Sequence, residues 1–297
     1  VIVGHVLYNR YMRLFLNKRR VYLGIAVLFA LLVHTAGCFM LLTNIESIKK
    51  VLFFEISIDW LFKPEPEPEI IDLNTTELPN QISERFGRAD YAVVLIDTTG
   101  RYKLAINGDE QFTAASTYKL YVAYSMISSV EGGRWSWDSA FAGTTLSDCF
   151  EQMIVKSDNF CPETWMSTVS YEAVTEQMRS LGLHSTTLRF DGMTTTASDL
   201  AHFLELVYQK NDSMMSQQSR KRLLDAMSRQ VFREGIPEGV GWETYVANKV
   251  GFLGTLLHDA GIVFNPKGDY ILVILTDNSS WPAIADVTAM IADKIEN

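Results

Sequence analysis

Residues 21–43 read VYLGIAVLFALLVHTAGCFMLLT, a run without a single charged side chain. At the helical rise of about 1.5 Å per residue it covers roughly 35 Å, enough for the hydrocarbon core of a bilayer. A segment of this kind satisfies its backbone as a helix and puts its two flanks on opposite sides of a membrane. Lys18, Arg19 and Arg20 stand immediately before it, and residues 1–20 hold five basic side chains and no acidic one. By the positive-inside rule, such a cluster keeps the N-terminus in the cytoplasm and sends the rest across. A cleaved signal peptide would have a shorter apolar core and a small-residue cleavage site after it. A lipoprotein signal ending at Cys38 would not continue into Phe39, Met40, Leu41 and Leu42. The reading is therefore a basic cytoplasmic tail (1–20), an uncleaved single-pass anchor in the cell membrane (21–43) and an extracytoplasmic remainder.

That remainder is acidic. The whole chain carries 26 basic against 35 acidic residues, net −9, and the tail takes five of the basic ones. An acidic body repels phosphate backbones, which excludes nucleic acid as a partner. Residues 44–76 form a juxtamembrane segment and a stalk: 45–62 are apolar but broken by charges, and Pro64 to Glu69 alternate proline with glutamate, a stiff, extended pattern. The folded domain is expected over 77–297. A helix is predicted over 78–88 and strands over 91–97 and 102–106. Helices follow over 147–156, 171–181, 197–209 and 216–229, then strands over 245–250, 260–264 and 270–276, and a last helix over 282–295. This order implies an α+β fold, an antiparallel sheet flanked by helices beside an all-helical lobe. Cys149 and Cys161, in an oxidising compartment, are expected to form a disulfide, with two buried thiols as the alternative.

Three short motifs carry chemistry. Ser116-Thr117-Tyr118-Lys119 opens a helical pattern, and its spacing brings a hydroxyl and an amine to one side, where a partly desolvated lysine can take the serine proton. A second copy of that pattern, Ser47 to Lys50, lies in the juxtamembrane segment. Ser157-Asp158-Asn159 follows the helix that contains Cys149, and Lys249-Val250-Gly251 ends a predicted strand. The three in this order resemble the Ser-x-x-Lys, Ser-Asp-Asn and Lys-Thr-Gly signature of class A β-lactamases and penicillin-binding proteins. The resemblance covers about 77–297, with compact spacing between the motifs.

The resemblance implies a β-lactamase/transpeptidase-like domain that forms an acyl-Ser116 intermediate, with Lys119 as base. Ser157 would pass a proton to the leaving nitrogen and Lys249 would tune it. Asn159, Gly251 and Phe252 would bind substrate, and the N–H groups of Ser116 and Phe252 would form the oxyanion hole. Asp158 is expected to fix its turn. No cofactor and no metal is implied; the substrate would be a small β-lactam or a cell-wall peptide.

Two departures qualify this. Val250 replaces the hydroxyl that in the family helps bind a substrate carboxylate, leaving Thr255 or an arginine to compensate. The loop that carries the deacylating glutamate of class A enzymes looks deleted, because 188–192 run almost directly into Thr194, Thr195 and Thr196; Asp191 is the acid that remains there. A β-lactamase-type hydrolase is the first expectation. A penicillin-binding D,D-peptidase or peptidoglycan hydrolase is the alternative favoured by the missing glutamate. A sensor ectodomain that is acylated without turnover is the third. A histidine triad is excluded, since His184, His202 and His258 accompany no nucleophile-elbow pattern; His258 and Asp259 read as a surface or loop pair.

Overall fold

The computed structural model describes residues 70–209 and 214–296. The predicted tail and anchor, and the stalk as far as 69, lie outside the described residues. Among the described residues, no helix is long and apolar enough to cross a membrane.

The chain runs β1 (Ile71–Asp72), α1 (Leu78–Phe86), β2 (Asp90–Asp97), β3 (Tyr102–Ile106) and β4 (Phe112–Thr113), then a 3-10 turn (Ala115–Tyr118) that continues into α2 (Lys119–Glu131). The short strands β5 (Ala140–Phe141) and β6 (Thr144–Thr145) lead to α3 (Leu146–Val155), α4 (Phe160–Val169) and α5 (Tyr171–Ser180). A hairpin of β7 (Thr187–Arg189) and β8 (Gly192–Thr195) precedes α6 (Ala197–Tyr208), α7 (Gln217–Ser228) and α8 (Ile236–Val240). The chain closes with β9 (Tyr245–Leu253), β10 (Leu256–Phe264), β11 (Tyr270–Asp277) and α9 (Trp281–Glu296).

Six strands form one sheet in the order β1-β3-β2-β11-β10-β9. Its pairs are antiparallel except β1 with β3. Successive side chains of a strand point to opposite faces, and here both faces are covered. Val93, Leu95, Leu104, Leu272 and Ile274 pack on one side with Leu78, Ile82 and Phe86 of α1 and with Ile284, Val287 and Ile291 of α9. The helix residues recur at the three- and four-residue spacing of one helical face. Ala92, Val94, Val273 and Leu275 turn to the other side, into a core shared with α2 and the helical lobe. Helix α2 is buried almost all round, from Leu120 to Ser129, and carries the motif lysine at its first position.

The α+β architecture, the long strands and most helices fall where the sequence puts them, within a few residues. Several short elements differ, and three of the differences have a readable reason. The sheet takes in Ile71–Asp72, ahead of the domain start expected at Glu77, because Lys103 and Tyr102 of β3 offer a parallel edge. Helix α4 appears where no helix is predicted; Pro162 breaks the helical signal but sits in the first turn, where its missing N–H is harmless. The small sheet β4-β8-β7 is built from strands too short to show a period.

Cys149 in α3 and Cys161 in α4 are joined by a disulfide, with their Cα atoms 5.4 Å apart. Of the two readings of those cysteines, the bond is the one the structure carries. It also ties together the ends of the loop that holds Ser157 and Asn159. Closing a loop of this size is worth about 3 kcal/mol of restricted unfolded chain. Reduction, or Cys149→Ser with Cys161→Ser, is expected to lower the melting temperature by roughly 6–12 °C in thermal unfolding followed by circular dichroism.

Candidate active site

The nucleophile turn is held from three directions. The Ala114 N–H donates to the Met193 carbonyl of β8 at 2.8 Å, and the Thr117 hydroxyl donates to the Ala114 carbonyl at 2.6 Å. Nε2 of His258 lies 2.8 Å from the Thr113 carbonyl, and the Thr276 N–H donates to its Nδ1 at 3.2 Å. An acceptor on one ring nitrogen and a donor on the other select the neutral imidazole with its proton on Nε2. Burial lowers the His258 pKa, which also favours that form. Ala115 takes a φ of +42°, left-handed backbone for a residue with a Cβ, just before Ser116. Such strain persists only where the surroundings impose it.

Lys119 is fully buried, and its Nζ meets four oxygens. It lies 2.8 Å from Ser116 Oγ, 2.6 Å from the Ser157 carbonyl, 2.7 Å from Asn159 Oδ1 and 3.2 Å from Ser157 Oγ. Burial pulls its pKa down to about 8, against the opposing charges of Asp158 and Glu163. The carbonyls of Ser157 and Asn159 can only accept. A neutral amine has two N–H groups and one lone pair, so those two acceptors hold both protons and leave the lone pair for a hydroxyl. Ser116 Oγ is the nearer hydroxyl.

Ser157 also has left-handed backbone, at φ +60°, and this turns its carbonyl toward Lys119. Asp158 fixes the turn, its Oδ2 accepting from the Cys161 N–H at 3.0 Å. On the far side, Lys249 Nζ donates to Ser157 Oγ at 3.0 Å and to the Val250 carbonyl at 2.8 Å. The Ser157 hydroxyl is thus held between two buried amines. Desolvation first, then repulsion from Lys119, holds the Lys249 pKa well below its ordinary value, while Asp259 acts in the opposite sense.

Behind Lys249 stand Asn248 and Arg233, which no sequence motif marks, together with Asp259. Asn248 donates to Asp259 Oδ1 at 2.8 Å, the Ile236 N–H donates to Asp259 Oδ2 at 2.8 Å, and Arg233 donates to Asn248 Oδ1 at 2.8 Å. Burial raises the Asp259 pKa to about 6, with these donors opposing it. The expectation of a surface pair at His258 and Asp259 is corrected: both are buried in β10. The signal lay in extending the predicted strand back from 260 to 256.

Gly251 passes so close to the turn that a Cβ there would stand 3.0 Å from the Ser116 nitrogen and 3.1 Å from the Thr117 nitrogen. Phe252, next on β9, is exposed and meets Phe232 edge to face at 5.2 Å between ring centres. Two predicted residues are not brought to the cluster. Thr255 stands in the turn after β9, beyond Leu253, which is already roughly 7 Å of strand from Gly251. Asp191 is on the exposed tip of the β7–β8 hairpin, both its oxygens accepting from Arg189 at 3.0 Å. Nor is Arg233 free to replace the hydroxyl missing at Val250, since it serves Asn248 and the Val246 carbonyl. Among the described residues, no group of three or more His, Cys, Asp or Glu side chains could hold a metal ion.

A serine and two lysines converging on a second serine, between a helix and the last strand of a helix-covered sheet, define a serine hydrolase site of the β-lactamase/transpeptidase type. The sequence model of the beta-lactamase enzyme family matches residues 76–297, and the chain belongs to that family. No curated protein matches it. Solved structures do. PBP-A superposes with a TM-score of 0.70 at 24% identity, over 77% of this chain and 98% of that one. A β-lactamase from Sphaerobacter thermophilus DSM 20745 gives 0.69 at 20%, over 76% and 98%. A class A β-lactamase reconstructed as the last common ancestor of Gram-negative bacteria gives 0.68 at 20%, over 74% and 99%.

The tight approach at Gly251 has a measurable consequence. Gly251→Ala is expected to displace the Ser116 turn and slow acylation of Ser116 by about 10- to 100-fold, in line with the cost of misplacing a reacting atom. Far-UV circular dichroism of the variant should match the wild type.

Proposed function

We propose that this protein is a serine acyl hydrolase of class A β-lactamase type, cleaving β-lactams or related acyl amides through an acyl-Ser116 intermediate. The observation that carries the reading is the 2.8 Å contact between Lys119 Nζ and Ser116 Oγ, with both N–H groups of the neutral amine taken by pure acceptors. Lys119 takes the serine proton as Oγ attacks the acyl carbon. Ser157, bonded by Lys249 at 3.0 Å, relays a proton to the leaving nitrogen. The N–H groups of Ser116 and Phe252 receive the developing oxyanion, and each such donor is worth about 3 kcal/mol. Strand geometry supports Phe252 in that role. The Val250 carbonyl faces Lys249 Nζ, and residues two apart on a strand present their backbone groups to the same edge. Asn159 and Gly251 border the substrate.

A D,D-peptidase or peptidoglycan hydrolase is the second reading, and two observations favour it. The hairpin that stands where class A enzymes carry their glutamate offers only Asp191, which is paired with Arg189. A variant of PBP-A, similar in fold to this chain, is described as an acyl-enzyme complex with penicillin G. The apolar run 21–43 supports a membrane anchor with the N-terminus in the cytoplasm and the hydrolase domain outside, near a cell-wall substrate.

The full-length chain, mixed with a fluorescent penicillin, is expected to be labelled in the wild type and not in Ser116→Ala; Lys119→Ala should slow labelling by about 100-fold or more. Label that fades supports the hydrolase, label that persists supports the peptidase or a sensor, and no label removes the β-lactam reading. The pH dependence follows from Lys119. Its neutral form is the base, so labelling should rise about tenfold per pH unit below about 8 and level off above it. A rate that falls as pH rises from 6 to 8 would contradict this role.

A further inference from the structure

An acyl-Ser116 intermediate needs a base to activate water, and the usual carrier of that base is missing. We propose that Glu163, in the first turn of α4, supplies the carboxylate that activates the deacylating water. The inference rests on the acyl-Ser116 reading above.

Three acids stand in or beside the site loops, and two are already engaged. Asp158 caps the Cys161 N–H at 3.0 Å, and Asp191 is held by Arg189 on an exposed hairpin tip. Glu163 is exposed, and its carboxylate has no hydrogen-bond or ion-pair partner among the described residues. Its place is set by Asn159, the residue that caps α4. The Glu163 N–H donates to the Asn159 carbonyl at 3.2 Å, which puts Glu163 one helical turn after Asn159 on the same side. Helical side chains lean toward the N-terminus and cover the preceding turn. A glutamate is long enough to bring its oxygens back along that turn of about 5.4 Å, toward the Asn159 side chain. The Oδ1 of that side chain is 2.7 Å from Lys119 Nζ. The electrostatics agree with this placement, because the negative charge of Glu163 is felt at both Lys119 and Tyr118. An exposed carboxylate one helical turn from the residue that touches the buried amine is also where bulk water can enter.

The step balances as ester hydrolysis. Glu163 takes a proton from water as the water oxygen bonds to the acyl carbon, and the carbonyl electrons move onto the oxyanion. Collapse breaks the bond between the acyl carbon and Ser116 Oγ. Glu163 passes its proton to neutral Lys119, and the ammonium so formed gives a proton to Oγ, so one water is consumed and free acid, free serine, the Glu163 carboxylate and neutral Lys119 result.

The test uses the full-length chain and 4-nitrophenyl acetate, a small ester that needs no carboxylate anchor. Samples are quenched at intervals and weighed as intact protein, with Ser116→Ala subtracting acetylation elsewhere. Glu163→Gln is expected to form the acetyl-Ser116 adduct within about threefold of the wild-type rate and to lose it about 100-fold more slowly, the usual contribution of a general base. Equal adduct lifetimes in the two proteins would overturn the role of Glu163 and leave the acyl-Ser116 reading standing. A wild-type adduct that persists would overturn it as well, since no working base would then be present. Neither adduct nor Ser116-dependent ester consumption would overturn the acyl-Ser116 reading, and this inference with it. Matching thermal melts of wild type and Glu163→Gln would show that the substitution acts on the reaction and not on folding.

Discussion

An ammonium group with no exposure to solvent is costly, and Lys119 is such a group. Its burial is tolerable because acceptors meet it from several directions, and supplying them sets constraints through much of the domain. The Ser157 carbonyl points inward because that residue adopts left-handed backbone, and the turn is secured by Asp158 and by a disulfide one residue into the next helix. The same burial that makes the cation costly makes the amine a useful base near neutral pH. Stability and reactivity therefore draw on one desolvated nitrogen.

Lys249 adds a second buried amine, and the two cannot both carry full charge so close to one hydroxyl without mutual repulsion. The Asn248–Asp259–Arg233 network behind β9 answers part of that charge. His258 works in the other direction: from β10, between β11 and the terminal strand β9, it grips the carbonyl of Thr113, so the last three strands help position the serine turn that lies far from them in sequence. The sheet thus shapes the site as well as the core.

Much of this was legible in the sequence. Long strands such as β2 and β11 announce themselves as apolar runs rich in valine and isoleucine, and α6 and α7 by their periodicity and Thr196 and Ser216 caps. The four motif residues could be named because their chemistry demands fixed residue types at short spacings. What escaped was of a different kind. Helix α4 was hidden by Pro162, and the β7–β8 hairpin by its brevity. The buried setting of His258 and Asp259 depended on the true start of β10. Glu163 is unremarked by any motif, since its relation to Asn159 exists only once α4 is known to begin at Phe160. Thr255 and Asp191 were chosen for their side chains and lost on position.

The sheet ends in two unlike ways. At one end β1 is two residues long, too short to recruit another strand. At the other, β9 is a nine-residue terminal strand with Tyr245, Phe252 and Leu253 exposed. Proteins commonly blunt such an edge with charges, proline or a covering loop, to prevent two copies from joining into a continuous sheet. On β9 that protection reaches as far as Gly251: Val246 to Gly251 are buried, Arg233 bonds the Val246 carbonyl and Lys249 the Val250 carbonyl, and the exposed stretch begins at Phe252, beside Ser116. Resistance to aggregation and access to the nucleophile thus divide one row of backbone groups between them, and the share left to access is the short end that starts at Phe252.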